Sequence, residues 1–236
     1  MIVLLAALAD LVLPAECAGC RTPHVRLRHG ACAQCATTLA ALRVHPVRPA
    51  PTPPGLPPCV AVGEYAGPLR ESLLAYKERG RVTLATPLGV LLAEAVAAAA
   101  GGLRRPVLLL PVPSTAAAVR ERHGDHMRRL ADRAAKALRH AGWPTAVAQP
   151  LRALPKPDAT HLDSAQRAIA AAAAFRPRHK RMDRAREAAR GRAVIVVDDI
   201  VTTGATLAAL TAILIRAGVP VDGAAILAAT RKRHPQ

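Results

Sequence analysis

The stretch from Val194 to Leu207 constrains the fold more than any other part of the chain. Val194, Ile195, Val196 and Val197 form a continuous β-branched apolar run, the pattern of a strand covered on both faces in a parallel sheet. Asp198 and Asp199 end that run and place two carboxylates at the carboxyl end of the strand, where open α/β sheets keep their ligand crevice. Thr202, Thr203, Gly204, Ala205 and Thr206 then turn the chain into a helix. Its apolar positions Leu207, Leu210, Ile213 and Leu214 recur at three- and four-residue spacing, and Gly218 is placed to cap its end. Such a unit belongs to an α/β fold with a mostly parallel sheet flanked by helices.

Backbone N–H groups at a helix start, with threonine hydroxyls and a glycine that permits close approach, make a phosphate cup. Two aspartates cannot hold phosphate themselves. They suit ribose hydroxyls, or a Mg²⁺ shared with ligand and water. The plainer alternative has them complementing a helix dipole while a threonine caps the helix. The order of four apolar residues, Asp-Asp, two spacers, Thr-Thr-Gly, one spacer and Thr resembles the 5-phosphoribosyl-1-pyrophosphate (PRPP) loop of type I phosphoribosyltransferases. The resemblance implies that Asp198 and Asp199 contact the ribose hydroxyls and that Thr202 to Thr206, including Gly204 and Ala205, cradle the 5-phosphate, with Mg²⁺ accompanying PRPP. It says nothing about the acceptor.

With 236 residues the chain can bury one sizeable core and carry a small appendage. The formal net charge of +17 predicts attraction to polyanions, or else a solvated basic surface. One Trp, two Tyr and one Phe argue against a stacking platform for single strands. Contact with nucleic acid is therefore expected to be electrostatic and salt-sensitive.

Met1 to Pro14 is apolar, but it carries Asp10 and lacks a basic residue, and Glu16 precedes Cys17 where a lipoprotein signal needs a small residue. The stretch is too short and interrupted to span a bilayer. It reads as a helix packing Leu4, Leu5, Leu8 and Leu11, and the chain as cytoplasmic. Cys17-x₂-Cys20 and Cys32-x₂-Cys35 have the knuckle spacing of a closed, tetrahedral, structural zinc site, with disulfides the weaker reading in a reducing compartment. His24 and His29 read as loop residues between the pairs, and Cys59 as a buried small apolar residue. Residues 45–58 hold so many prolines that helix and central strand are excluded. They read as a spacer between an N-terminal module, 1–44, and a main domain, 59–236.

In the main domain, Val60 to Tyr65 read as a strand, Gly67-Pro68 as a turn, Leu69 to Tyr76 as a helix, and about 83 to 100 as a second helix. Tyr65, Gly67, Leu69, Leu73 and Lys77 follow a Tyr-x-Gly-x-Leu-x₃-Leu-x₃-Lys pattern. The order of zinc knuckle, this pattern, Pro-Val-Pro at 111–113 and the terminal loop resembles the ComF/GntX family of phosphoribosyltransferase-like proteins. That resemblance covers nearly the whole chain and draws Lys77 into the PRPP site. Val107 to Leu110 make a second strand, and the turn from Pro111 to Thr115 lies where the resemblance implies pyrophosphate is held, with Ser114 a candidate contact. An ordinary strand-to-helix loop is the alternative.

Arg122 and Asp125 match a family pattern in which His123 and Gly124 stand exchanged. Arg122 is the candidate for neutralising departing pyrophosphate, or else a surface arginine. Leu162 and Arg167 keep another family pattern, while Ala159 and Ala170 replace polar residues of it. A possible short strand holds Val147, Leu151 to Pro157 reads as loop, and Ala224 to Ala229 reads as a last strand at the sheet edge. The basic run from Arg176 to Arg192 reads as a solvated helix face or a polyanion contact, and Arg231 to Arg233 as a frayed tail. The expected function is a ComF-like protein that binds PRPP with Mg²⁺ and transfers phosphoribosyl to an unknown acceptor. The alternatives are a competence accessory protein for DNA uptake, touching single-stranded DNA or protein partners, and a PRPP sensor without turnover.

Overall fold

A computed structural model describes residues 16–102, 104–155 and 173–230. The N-terminal apolar stretch, Leu162, Arg167, Ala159, Ala170 and the basic tail lie outside the described residues.

In chain order the elements are α1 (Ala33–Ala40), β1 (His45–Val47), β2 (Cys59–Glu64), α2 (Gly67–Lys77), a 3-10 turn (Val82–Leu84), α3 (Ala85–Ala99), β3 (Val107–Pro111) and α4 (Ala116–Glu121). They continue with α5 (His126–His140), β4 (Thr145–Val147), β5 (Leu151–Ala153), β6 (Phe175–Pro177), α6 (His179–Ala189), β7 (Ala193–Val201), α7 (Ala205–Arg216) and β8 (Gly223–Ala229). Six strands form one sheet in the order β1-β2-β8-β7-β3-β4, parallel except for β1 on β2. β5 and β6 pair separately and antiparallel.

Strand alternation divides the core into two layers. Ile195 and Val197 join Leu109 and Leu227 on the face covered by Leu69 and Leu73 of α2, Leu88 and Leu92 of α3, and Leu130 of α5. Val194 and Val196 join Leu108, Leu110 and Ile226 on the opposite face, under Leu207, Leu210 and Leu214 of α7 and Met182 of α6. Among the described residues one helical stretch, Val82–Ala99, is long and apolar enough to cross a membrane. In the fold it is a core helix, with Leu88, Leu92, Ala95 and Val96 fully buried.

Four expectations differ from the fold. The strand before the loop does not stop at Val197: β7 runs to Val201, because Asp198, Ile200 and Val201 keep their pairing with β8. β8 is not an edge strand. Small side chains, buried almost throughout, let it fit between β2 and β7. Leu151–Ala153, expected as loop, pairs with Phe175–Pro177, a partner too distant in sequence for local patterning to reveal. Gly67 and Pro68 open α2 instead of preceding it, with proline in the first turn where no N–H is required.

The proline-rich segment is packed. His45, Pro46 and Val47 pair with Ala61, Val60 and Cys59, placing proline on an edge strand, a sheet position that tolerates its missing N–H. Val47 and Leu56 pack on the second core layer. The cysteine-bearing segment is equally attached, since Ala18 and Leu39 belong to the same buried cluster as Leu69 and Leu73.

Candidate ligand site at the carboxyl end of the sheet and a candidate cysteine metal centre

Alternation along β7 sends Asp198 and Asp199 to opposite faces of the sheet. Asp199 follows Ile195 and Val197 toward α2 and α5 and is only 6% exposed. Its Oδ2 lies 2.8 Å from Lys77 Nζ at the end of α2 and 3.4 Å from His126 Nε2 at the start of α5. Burial alone would raise the Asp199 pKa, but His126 and Lys77 hold it well below the ordinary carboxylate range. Lys77 shows the reciprocal balance: burial works against its charge, and the Asp199 carboxylate more than offsets this, raising its pKa. Asp198 is half-buried, and its Oδ1 accepts the Asp199 N–H at 3.0 Å. Burial, reinforced by the charge of Asp199, pushes the Asp198 carboxyl up to about 8. The two carboxylates of the corner thus shift in opposite directions, Asp199 toward the ionised form and Asp198 toward the protonated one.

Thr202 is exposed and Thr203, Ala205 and Thr206 are half-buried, around a buried Gly204. Gly204 is the N-cap of α7, with φ 76° and no side-chain cap. The threonine expected as cap instead accepts from Ala205 N–H through Thr203 Oγ1 at a long 3.4 Å. Only a glycine suits this position. A Cβ there would stand in the left-handed region and meet Leu56 Cδ1 at 3.0 Å and Pro49 Cγ at 3.4 Å. The loop therefore starts a twelve-residue helix next to the aspartates, and a helix N-terminus favours an anion.

Across the crevice, β3 delivers Ser114, and Thr115 caps α4 through Oγ1 to Ala118 N–H at 3.2 Å. Ser114 Oγ lies 3.2 Å from His126 Nδ1 and 3.4 Å from Asp125 Oδ1. Asp125 caps α5 by accepting Arg128 N–H at 3.1 Å and accepts from Gln149 Nε2 at 2.7 Å. Tyr76 donates its hydroxyl to the His126 carbonyl at 2.9 Å. A polar chain thus runs from Gln149 through Asp125, Ser114 and His126 to Asp199 and Lys77. It borders an open cleft of about 980 Å³ lined also by Thr115, Arg152 and Arg178.

Lys77, Ser114, Asp198 and Asp199 are thus brought to one end of the sheet, with Thr202 to Thr206 beside them. Arg122 turns instead to Glu78, one residue beyond Lys77, at 3.1 Å, close enough that its charge opposes that of Lys77. His123 adopts φ 51°, left-handed backbone better suited to glycine, and Gly124 follows at φ 144°. Sequence reasoning missed His126 and Gln149. Nothing in the local sequence separates His126 from the other histidines; only the fold seats it between Ser114 and Asp199.

The four thiols of Cys17, Cys20, Cys32 and Cys35 lie within 4.8 Å of one another. Cys20 Sγ and Cys32 Sγ are 3.8 Å apart, matching the roughly 3.8 Å edge of a tetrahedron with about 2.3 Å Zn–S bonds. Backbone N–H groups of Gly19 and Cys32 point at Cys17 Sγ, at 3.4 and 3.2 Å, and Cys35 N–H points at Cys32 Sγ at 3.5 Å. Such donors favour thiolate. Hydrogen bonding from Thr22 lowers the Cys20 thiol to about 6. A side chain at Gly19 would meet Cys35 Sγ at 2.8 Å, so the knuckle turn needs glycine. The donor set fits one structural zinc ion. Cys59 stands apart, buried, with its pKa raised to about 11 by desolvation.

Set against models of protein families and against curated proteins, the chain matches none.

Proposed function

We propose that this chain is a ComF/GntX-like protein with a type I phosphoribosyltransferase-like domain. In this reading it binds PRPP with Mg²⁺ at the carboxyl ends of β3 and β7 and transfers phosphoribosyl to an acceptor. One observation carries the reading: Lys77, remote in sequence, meets Asp199 beside a glycine-capped helix start. Asp198 and Asp199 take the ribose hydroxyls and, through water, the ion; the oxygen donor set suits Mg²⁺. Thr202, Thr203 and Thr206, with the N–H groups of Gly204 and Ala205, hold the 5-phosphate. Ser114 and the cationic Lys77 face the pyrophosphate. The chemistry asked of the protein is positioning and charge stabilisation of a departing pyrophosphate.

Titration calorimetry tests this. Mg²⁺-dependent PRPP binding is expected in the parent protein and is expected to vanish in the Asp198→Asn, Asp199→Asn double variant. Release of pyrophosphate with an acceptor marks a transferase, and binding without release across a broad panel marks a sensor.

A second reading, contact with single-stranded DNA, is favoured by the surface of α6. Lys180, Arg181 and Arg184 are exposed there, and Arg176 on β6 and Arg178 at the helix N-cap are exposed just before it. Among the described residues, the ion pairs of this run are Arg186 with Asp183 and Arg190 with Glu187.

A further inference from the structure

The four thiols of the cysteine cluster are not equivalent. Cys17 and Cys35 are buried, at 0% and 3% exposure, and pack with Ala31, Val25 and Leu27. Cys20 is exposed and Cys32 half-buried. The sulfurs of these two stand in contact, 3.8 Å apart, and Thr22 Oγ1 lies 3.1 Å from Cys20 Sγ.

Exposure decides which sulfur a small solute meets first, and a second thiol alongside decides where oxidation stops. A sulfenic acid beside a thiolate condenses to a disulfide instead of climbing to sulfinic acid. Cys20 meets the first condition and Cys32 the second. Cys59 meets neither, since it is buried with its Sγ donating to the Pro57 carbonyl at 3.2 Å. The pair also occupies two mechanical joints. Arg21, next to Cys20, holds left-handed backbone at φ 60° and reaches Glu71 of α2 through Nε at 3.0 Å and a terminal nitrogen at 2.7 Å. Cys32 is the N-cap of α1, its Sγ accepting from Cys35 N–H at 3.5 Å.

We propose that Cys20 and Cys32 form a peroxide-reactive modification site that closes as a disulfide, dismantles the metal centre and loosens its hold on α2. The Cys20 sulfur attacks a peroxide oxygen: the S–O bond forms, the O–O bond breaks, and hydroxide leaves. Cys32 Sγ then attacks the Cys20 sulfur. The S–S bond forms as the S–O bond breaks, and a second hydroxide leaves. The two sulfurs give up two electrons, and the peroxide takes them. Cys17 and Cys35 are then the remaining ligands of a site that is closed only by four. The inference is independent of the PRPP reading.

Treatment of the whole zinc-loaded chain with excess hydrogen peroxide tests the proposal. A chromogenic chelator follows metal release, and differential alkylation with tandem mass spectrometry maps the thiols. One zinc ion per chain is expected to be released, with Cys20 and Cys32 joined and Cys59 still reduced. Dithiothreitol with added zinc should restore the starting state. Amide exchange along Gly67–Lys77 should rise on oxidation and fall on repair, and Cys59→Ala should leave every readout unchanged. The assignment is overturned if zinc stays bound with all thiols reduced, if other cysteines pair, or if Cys20 goes irreversibly to sulfinic acid. Protein purified without zinc, or unaltered exchange in α2, overturns it as well.

Discussion

Adjacent aspartates on one strand carry opposite pKa shifts, and the consequence for stability can be worked out in sign. The Asp198 carboxyl sits near 8 in the folded chain, against about 4 for an unperturbed aspartate. Between those values the folded state holds a proton that the unfolded state has lost, so stability from this group falls as pH rises from about 4 to about 8. Asp199 is depressed by His126 and Lys77; its contribution is present above about pH 4 and is lost only in stronger acid. Asp198→Asn is therefore expected to match the parent near pH 4 and to exceed its stability at pH 9. Urea midpoints at the two values check this, and an equal gap at both would contradict it. A cation entering the corner should release the Asp198 proton. Gly204 makes a second prediction. Alanine at φ 76° costs about 1–2 kcal/mol from backbone strain alone. Contact with Leu56 and Pro49 then adds to that cost in Gly204→Ala, or displaces the proline-rich wall. Thermal unfolding measures the loss, and an unchanged midpoint would refute the packing described.

Among the elements, α2 links the two centres. Its N-terminal half meets the cysteine segment: Arg21 pairs with Glu71 at 2.7 Å, and a Cβ on Gly19 would lie 3.4 Å from Pro68. Its last residue is Lys77, which pairs with Asp199. Purified protein is expected to hold one zinc ion per chain. Stripping that ion should speed amide exchange along Gly67–Lys77 and weaken PRPP binding. Metal near zero with four intact thiols, or unaltered exchange in α2, would contradict this. The knuckle was legible because metal ligation demands particular residues at particular spacing. The Pro49–Leu56 wall was not, since proline content reports what a segment cannot form and says nothing of what it packs against. His126 was illegible for a related reason: burial of one histidine among several is decided by tertiary contact.

At the scale of the whole molecule, hydrophobic period exposed the layered α/β architecture, because runs such as Val194–Val197 and Val107–Leu110 permit few other placements. Strand order lay beyond reach. Ala224–Ala229 reads equally well at an edge or in the interior until its neighbours are known. Charge is the other global property. If the net charge of +17 serves single-stranded DNA, the log–log salt slope should drop by roughly 2 on replacing Arg178, Arg181 and Arg184 with Gln, at about 0.7 per phosphate contact. An unchanged slope would make the α6 face a solvated surface.

The central claim is that the corner built by Lys77, Asp198, Asp199 and the Gly204-capped helix binds PRPP. Calorimetric titration of Mg-PRPP into the parent chain and the Asp198→Asn, Asp199→Asn variant measures this directly. The account predicts saturable, Mg²⁺-dependent heat in the parent and none in the variant. Equal binding in both, or no binding in the parent, would contradict it.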